Sequence, residues 1–315
     1  MTISYQAQYP FVFPKLLPSL LMLIFSFKAV SSDNFGFSGM AYMGNNQYLV
    51  VVDTKNHKPG VRLGTLQIKN GQAPKFSPVD VKDWGHPHGA ASDLESACKI
   101  PDSENQYLVS ESGTWKGKFG RIFWLEIVEN QASVKNVFQL PILINSDETT
   151  QGSNYEGMLC VKNANRLHIL MGERGGTAAI PDGYLLQGVL NLATNQLSWL
   201  PESEFKYVAK GRTLLSDSMP GRSISDLYLE NNIIWASATQ DDSDMGPFNS
   251  VIYAVGKLTF EQGRLIVSAT KQQHWNVAGL KIEALAQAPE SFPNARLSYG
   301  SEDEDFGGIW RLLSN

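Results

Sequence analysis

The stretch that decides the fold runs from Asp93 to Gly113 and reads DLESACKIPDSENQYLVSESG. It contains two short apolar runs that are separated by a polar turn. Glu95 lies at the head of the first run, and Glu111 lies at the tail of the second. Because short apolar runs between polar turn residues are typical of β-strands, the stretch predicts a hairpin with a carboxylate near each end.

The same arrangement occurs four more times along the chain. The related stretches are GFSGMAYMGNNQYLVVVDTK (36–55), NYEGMLCVKNANRLHILMGERG (154–175), SISDLYLENNIIWASATQDD (223–242) and KIEALAQAPESFPNARLSYGSEDED (281–305). The first run of each stretch contains one polar residue, and the five such residues are Ser38, Glu95, Glu156, Ser225 and Glu283. Subtracting their numbers gives steps of 57, 61, 69 and 58 residues. Self-similarity at such a period indicates a repeat architecture.

Each repeat also has a second half, in which two further apolar runs are joined by a tight turn. The turns read KNGQ, VENQ, ATNQ and FEQG, and their Asn and Gly residues accept the positive φ that hairpin connections require. Four short β-rich runs in about 60 residues are typical of a β-propeller blade. We therefore predict an all-β protein whose residues 33–315 form a single β-propeller. The repeat count gives five blades, or six if the loops contain another.

Residues 1–32 allow two interpretations. Residues 15–32, KLLPSLLMLIFSFKAVSS, contain an apolar core followed by small residues, which is typical of a signal peptide and too short for a membrane span. The last repeat supplies three apolar runs, so residues 20–30 are also suited to form a fourth, outer strand that closes the ring. The first interpretation predicts export to the periplasm or the extracellular space, and the second predicts a cytoplasmic protein.

Charge and cysteine content limit the partners and cross-links. The formal net charge is −5, and binding nucleic acid requires a basic face, so we expect no nucleic-acid partner. Cys98 and Cys160 are the two cysteines of the chain, too few for a disulfide framework. They follow their repeat glutamates by three and four residues, which places them on opposite faces of adjacent inner strands. We therefore favour two buried free thiols, with a disulfide between them as the alternative.

The glutamates of the first runs predict a metal site. The first strand of a propeller blade lines the central channel, so Glu95, Glu156 and Glu283 are expected to converge on one axis. Facing carboxylates repel one another unless a positive charge joins them. Calcium prefers oxygen ligands and is the cofactor that we predict, with Ser38 and Ser225 as neutral oxygens at the same level.

The acids that end the second runs form a second predicted ring, which consists of Asp53, Glu111, Glu173, Asp241 and Glu302. Glu111 and Glu173 are the candidates for a catalytic general base. The alternative for each of these acids is a structural role, in which the carboxylate accepts backbone N–H bonds in the following turn.

Three further side chains are candidates for catalysis. Arg174 and Arg222 lie beside the acidic positions and could bind an anionic substrate, or pair with the carboxylates as Arg121 could. His88 lies in the loop GHPHG (85–89), where it is either a metal ligand or general base, or part of an exposed polar loop.

The repeats as a set resemble the phytase-like family, described as having esterase-like activity of phytase. The residues that carry this resemblance are FSGMAY, DLESACKIPDSENQYLVSESG, GRIFWLEI, NYEGMLC, LHILMGE and SEDEDFGG, and it extends over residues 36–313. The chain is similar, more distantly, to gluconolactonase-type propellers, in which an inner-strand glutamate binds a divalent metal. The family resemblance implies an exported propeller with hydrolase activity on phosphate or other esters. The DAADDPA motif of true propeller phytases is absent from this chain.

Two functions therefore remain open. The first is a calcium-dependent hydrolase of small anionic or ester substrates, in which Glu95, Glu156 and Glu283 hold the metal. The second is a non-catalytic propeller in which a metal or a carboxylate ring stiffens the channel and one face binds a partner. The two differ in whether the acids are uncommitted or already paired with arginines and backbone amides. Nothing in the sequence indicates the oligomeric state.

Overall fold

The computed structural model describes residues 35–113, 119–141, 152–215, 221–240, 245–303 and 307–314. The two predicted roles of residues 1–32, as signal peptide or closing strand, lie outside these ranges, as does the predicted acid Asp241. No helix within the described ranges is both long and apolar enough to cross a membrane.

Five separate β-sheets confirm the predicted five-bladed β-propeller. The first two blades contain β1 (Gly39–Gly44), β2 (Gln47–Val51), β3 (Leu63–Gln67), β4 (Lys75–Pro78), β5 (Asp80–Val81), β6 (Leu94–Lys99), β7 (Gln106–Glu111), β8 (Arg121–Val128) and β9 (Gln131–Gln139). The third blade contains β10 (Tyr155–Asn163), β11 (Arg166–Glu173), β12 (Gly183–Asn191), β13 (Gln196–Trp199) and β14 (Tyr207–Ala209), and a 3₁₀-helix follows it (Gly211–Leu214). The last two blades contain β15 (Asp226–Glu230), β16 (Ile233–Gln240), β17 (Asn249–Glu261), β18 (Arg264–Ser268), β19 (His274–Ala278), β20 (Ile282–Gln287), β21 (Ala295–Ser301) and β22 (Trp310–Ser314).

One strand of each blade lies against the central channel. These inner strands are β1, β6, β10, β15 and β20, and each stands at one end of its sheet and contacts the inner strands of both neighbouring blades. The first blade also reaches into the second through its connection, because β5 pairs in parallel with β9. The sequence pattern did not indicate this parallel pairing.

The apolar cores lie between neighbouring blades, because every sheet buries both of its faces. Leu49 and Val51 pack in the core between the first and second blades, whereas Tyr48 and Val50 pack in the core between the first and the fifth. All four side chains are fully buried. Successive side chains of a strand point to opposite faces, so a continuous apolar run is what a blade with two buried faces requires.

The predicted tight turns adopt the expected backbone conformation. Gly71, Glu129, Asn195 and Gly263 all have positive φ, and each lies in the hairpin between the third and fourth strands of its blade. Asn and Gly tolerate this conformation at little cost, which explains their use at three of these turns, whereas in VENQ the positive φ falls on Glu129 and not on Asn130.

The prediction of two free thiols is wrong, because Cys98 and Cys160 form a disulfide between β6 and β10. Their Cα atoms lie 5.7 Å apart, within the usual range for a disulfide. The strand period does place the two side chains on opposite faces of their own sheets. In a ring, however, the face of the second blade that points forward packs against the face of the third blade that points back. A side chain on each of these two faces therefore lies in the same interface.

Candidate functional site

Three inner strands begin with the same β-bulge, and each bulge contains a glutamate. In β6 the pairing register shifts between Leu94 and Ser96, so Glu95 is the extra residue. The same shift surrounds Glu156 in β10 and Glu283 in β20. A bulge changes the direction of a side chain at the end of a strand, and these three lie where the inner strands enter the channel.

The other two inner strands have a serine at the equivalent position. Ser38 donates its backbone N–H to the carbonyl of Val51 (3.1 Å), and Ser225 donates to the carbonyl of Ser237 (2.7 Å). Both hydroxyl groups are buried without a hydrogen-bond partner in the described part of the chain. We refer to the five equivalent residues as the inner ring and to this end of the channel as the charged mouth. The inner ring consists of Ser38, Glu95, Glu156, Ser225 and Glu283.

Cationic side chains lie between the carboxylates of the inner ring. Nη1 of Arg222 lies 2.8 Å from Oε1 of Glu283 and 3.3 Å from both carboxylate oxygens of Glu156. Nη1 of Arg174 donates to Oε1 of Glu156 at 2.9 Å, and Nζ of Lys281 lies 3.2 Å from Oε1 of Glu283. The positive charge that facing carboxylates require is therefore supplied here by guanidinium and ammonium groups.

Glu283 also forms a carboxyl pair with Glu302, and Lys281 contacts both members. Nζ of Lys281 lies 3.3 Å from Oε2 of Glu302. Burial raises the pKa of Glu283, but Lys281, the hydrogen bond with Glu302 and Arg222 together outweigh burial and lower it. Burial and the charge of Glu283 raise the pKa of Glu302 well above its usual range. The two pKa shifts therefore favour the protonated form of Glu302 and the ionised form of Glu283.

Glu95 differs from the other two glutamates of the inner ring. It is half-buried, and it has no hydrogen bond or ion pair with any described residue. Burial raises the pKa of Glu95 well above its usual range, and the charges of Asp93 and Glu156 raise it further. Lys55 pairs instead with Asp93 and with Asp53, whose Oδ2 lies 3.1 Å from Nζ. Burial and the charges of Asp93 and Glu156 therefore favour the protonated form of Glu95.

The predicted metal ligands are not arranged as a calcium shell. Arg222 lies between Glu156 and Glu283, where a shared cation would have to bind. Among the described residues, no group of three or more His, Cys, Asp or Glu side chains is placed to hold a metal ion. Calcium binding remains a prediction from the sequence, and we derive no chemical step through it.

Glu111, a predicted general base, is fully buried and fully engaged. Its two carboxylate oxygens accept hydrogen bonds from the backbone N–H of Ser92 (2.8 Å) and from the backbone and side chain of Arg121 (2.5–3.0 Å). Neither side chain of this pair is exposed to solvent. In this arrangement Glu111 holds the start of β8 against the loop before β6, and it has no exposed oxygen for a substrate.

Glu173, the other candidate base, is buried and bonded to backbone amides. Its carboxylate accepts from the N–H groups of Gly175 (2.8 Å) and Asn154 (3.3 Å). Burial raises the pKa of Glu173 to about 7 in spite of these hydrogen bonds. The sequence left open a structural role for these acids, in which the carboxylate accepts backbone N–H bonds. Glu173 makes contacts of this kind.

The pairing register shows that the members of the predicted second ring do not all occupy equivalent positions. Glu111 pairs with the first residue of β6 and Glu173 with the first residue of β10, so these two are equivalent. Ser301 occupies that register position in the fifth blade, and Glu302 follows it by one residue. His88 is exposed in its loop, with its ring 5.0 Å from that of His86, and it contacts no residue of the inner ring.

Lys55, Asp93 and Lys281 also belong to the charged mouth, and the sequence analysis missed them. Each lies two residues from an acid that was identified: Lys55 from Asp53, Asp93 from Glu95, and Lys281 from Glu283. The regular strand period would not have placed them, because Asp93 has a positive φ and both Glu95 and Glu283 are bulge residues. Their closeness in sequence to the identified acids is the signal that could have found them.

The opposite end of the channel, which we call the cavity mouth, is open. All five inner strands line a cavity of 560 Å³ there. Its walls include Met40, Met158, Leu227 and Leu285, and one wall contains the Cys98–Cys160 disulfide. The two mouths therefore differ in character, since charged side chains pair with one another at one and the five inner strands surround a cavity at the other.

The fold and the site thus define a five-bladed β-propeller with one charged mouth and one open mouth. No protein-family model and no curated protein matches the sequence. Similarity to solved structures is distant. A periplasmic gluconolactonase from Pseudomonas aeruginosa is 10% identical with a TM-score of 0.40, over 87% of this chain and 83% of that one.

Two further solved structures show the same level of similarity. An oxidoreductase from Thermus thermophilus, described as a glucose dehydrogenase, is 11% identical with a TM-score of 0.40, over 89% of this chain and 97% of that one. A GH32 β-fructofuranosidase from Bombyx mori is 11% identical with a TM-score of 0.44, over 89% of this chain and 62% of that one. The distant neighbours thus include hydrolases and oxidoreductases, and similarity at this level indicates the fold alone.

Proposed function

We propose that the protein is a non-catalytic binding propeller in which the charged mouth stabilises the closed ring. The observation that carries this proposal is the position of Arg222, which pairs with both Glu156 and Glu283. A buried carboxylate is tolerated when ion pairs and hydrogen bonds compensate its lost hydration. Carboxylates that are compensated in this way are not available to bind a substrate or to accept its proton.

The surroundings of the candidate bases support the same proposal. Glu111 is enclosed by Arg121 and two backbone amides, and Glu173 is enclosed by two backbone amides. A general base must come within hydrogen-bond reach of the proton that it removes. Neither carboxylate can do so without first breaking contacts that hold its blade together.

A second candidate function, hydrolysis of an anionic ester, is favoured by Glu95. This carboxyl group has no partner among the described residues, and its raised pKa suits a general acid. The unpartnered hydroxyls of Ser38 and Ser225 lie at the same level, and Nε of Arg174 is buried without a hydrogen-bond partner in the described ranges. On this hypothesis Arg174 and Arg222 would bind the anion and Glu95 would protonate the leaving group.

Export of the protein is part of the proposal. Disulfides persist in oxidising compartments and are rare in the cytosol. The disulfide between Cys98 and Cys160 therefore supports a periplasmic or extracellular location over a cytoplasmic one.

Three variants separate the two functions: Arg222→Met, Glu156→Gln and Glu95→Gln. We would measure thermal unfolding with chelator and with added calcium, and hydrolysis of p-nitrophenyl phosphate and p-nitrophenyl acetate. A binding propeller should show no hydrolysis, and Arg222→Met should lower the melting temperature equally with and without calcium.

Two outcomes would contradict the proposal. One is a calcium-dependent rise in melting temperature that Glu156→Gln abolishes, which would place a cation on the inner ring. The other is ester hydrolysis that Glu95→Gln removes while the melting temperature stays unchanged. The second result would establish the hydrolase.

A further inference from the structure

The cavity mouth has the dimensions of a small-molecule site. Its volume of 560 Å³ falls within the range of about 300–1,000 Å³ that is usual for ligand pockets. Every blade contributes to it, because residues of β1, β6, β10, β15 and β20 all line the space. A ligand that binds there would contact the whole ring at once.

Most residues that line this cavity are uncharged. Its apolar lining residues include the half-buried Tyr42, Met43, Tyr228 and Leu229, whereas Met40 is buried in the core between the blades. Methionine is flexible and polarisable, so it adapts to apolar ligands of different shapes.

The charged residues of the cavity lie at its rim. Nζ of Lys99 donates to the carbonyl of Met43 (3.0 Å), Asp102 pairs with Lys162 (2.9 Å), and Glu290 is exposed. Lys99 and Asp102 are already engaged, so a charged ligand group would lose hydration without gaining a free opposite charge from either of them. The cavity therefore selects against ions.

The cavity also offers hydrogen-bonding groups. Each inner strand pairs with a neighbour on one side only, and its other edge faces the channel. The edge of a strand presents N–H and C=O groups that no ladder satisfies. An uncharged ligand with a hydroxyl, amide or amine group can bond to these edges while its apolar part contacts the methionine and leucine side chains.

We infer that the cavity mouth binds one uncharged, mainly apolar small molecule that carries at least one hydrogen-bonding group. The inference rests on the proposed function, because it supplies the ligand site of the binding propeller. It involves none of the residues of the charged mouth.

Two fluorescent probes with the same ring skeleton test the inference. N-phenyl-1-naphthylamine is uncharged, and 8-anilinonaphthalene-1-sulfonate adds a sulfonate. We expect the full chain to bind one molecule of the uncharged probe and to bind the sulfonate at least about tenfold more weakly.

Met43→Trp, at a half-buried position of the cavity wall, should weaken binding of the uncharged probe by about tenfold or more. Met245→Trp is the matched control at an exposed position outside the cavity and should bind as the wild type does.

Leu229→Trp on the opposite wall provides a second filling variant if Met43→Trp lowers the melting temperature. Tighter binding of the sulfonate, or equal binding of the uncharged probe by the wild type and by a folded filling variant, would overturn the inference. Its failure would leave the results for Arg222 and Glu156 unchanged. Conversely, ester hydrolysis that depends on Glu95 would remove the proposed function without altering probe binding at the other mouth.

Discussion

The two mouths of one channel use the same five strands in opposite ways. At the charged mouth, bulges direct carboxylates inward, and Arg174, Arg222 and Lys281 fill the space between them. At the cavity mouth the same strands surround a cavity of 560 Å³, and most of the residues that line it are uncharged. The comparison shows that the position of polar residues along the inner strands decides which end of this channel carries the charged side chains. We infer that the charged mouth contributes stability and that the cavity mouth contributes binding.

The largest expected effect is that of Arg121→Met at the charged side of the second blade. Both Arg121 and Glu111 are fully buried, so the variant leaves a buried carboxylate uncompensated. We expect the free energy of unfolding to fall by about 3–5 kcal/mol, measured by urea denaturation. The double variant Arg121→Met, Glu111→Gln should recover part of that loss because it removes the uncompensated charge. A loss below about 1 kcal/mol would show that the pair behaves like an exposed one.

The second expected effect concerns the wall of the cavity mouth. The disulfide closes a loop between residues 62 positions apart, and replacing both Cys98 and Cys160 by Ala should cost about 4 kcal/mol. Dithiothreitol should lower the melting temperature of the wild type and leave that of the double variant unchanged. If dithiothreitol affects both proteins equally, the bond does not contribute to stability.

The third expected effect is a pH dependence of stability that arises from Glu173, beside the charged mouth. The pKa of Glu173 rises from 4.5 in the unfolded chain to about 7 in the folded protein because the carboxyl group is buried. A raised carboxyl pKa means that the folded state binds the proton more tightly. The resulting stability is fully present below about pH 4.5 and is lost as the pH rises through 7.

Glu173→Gln isolates this contribution. Between pH 5 and 8 the wild type should lose about 3 kcal/mol of unfolding free energy relative to the variant. The readout is the difference in slope of unfolding free energy against pH, because the amide substitution shifts the absolute stability at every pH. Parallel slopes for the two proteins would remove Glu173 as the titrating group.

The smallest expected effect is that of Lys162→Met at the cavity mouth. Lys162 pairs with Asp102 at 2.9 Å, and their side chains are 30% and 76% exposed. Exposed ion pairs contribute about 0–1 kcal/mol, so urea denaturation should show a change within that range. A loss comparable to that of Arg121→Met would contradict the division of roles between the two mouths.

The fold was predictable from local patterns, because a blade is built from short-range features. Short apolar runs, turn residues with positive φ and a recurring polar residue at each first strand are all visible within one repeat. The same repeat pattern places three glutamates at one end of the channel, because they occupy equivalent positions in their repeats. They are Glu95, Glu156 and Glu283.

The contacts of the site were less predictable, because they join distant parts of the chain. Arg222 reaches Glu156 from 66 residues away and Glu283 from 61 residues away, and no repeat pattern specifies that meeting. The cysteine pair was missed for a geometric reason, since the facing of neighbouring blades depends on how the ring closes. Lys281 was within reach of the sequence, because it lies two residues before Glu283.

The disulfide has a mechanical consequence. The propeller has five seams between blades, and a covalent bond crosses the seam between the second and third blades close to the axis. The seam between the fifth and first blades is joined, among the described residues, by non-covalent contacts such as the Phe37 N–H to Ser301 carbonyl bond (3.1 Å) and the Tyr48 to Ser298 hydroxyl bond (2.8 Å). Under a pulling force we expect the ring to open at that seam, and the second and third blades to separate last.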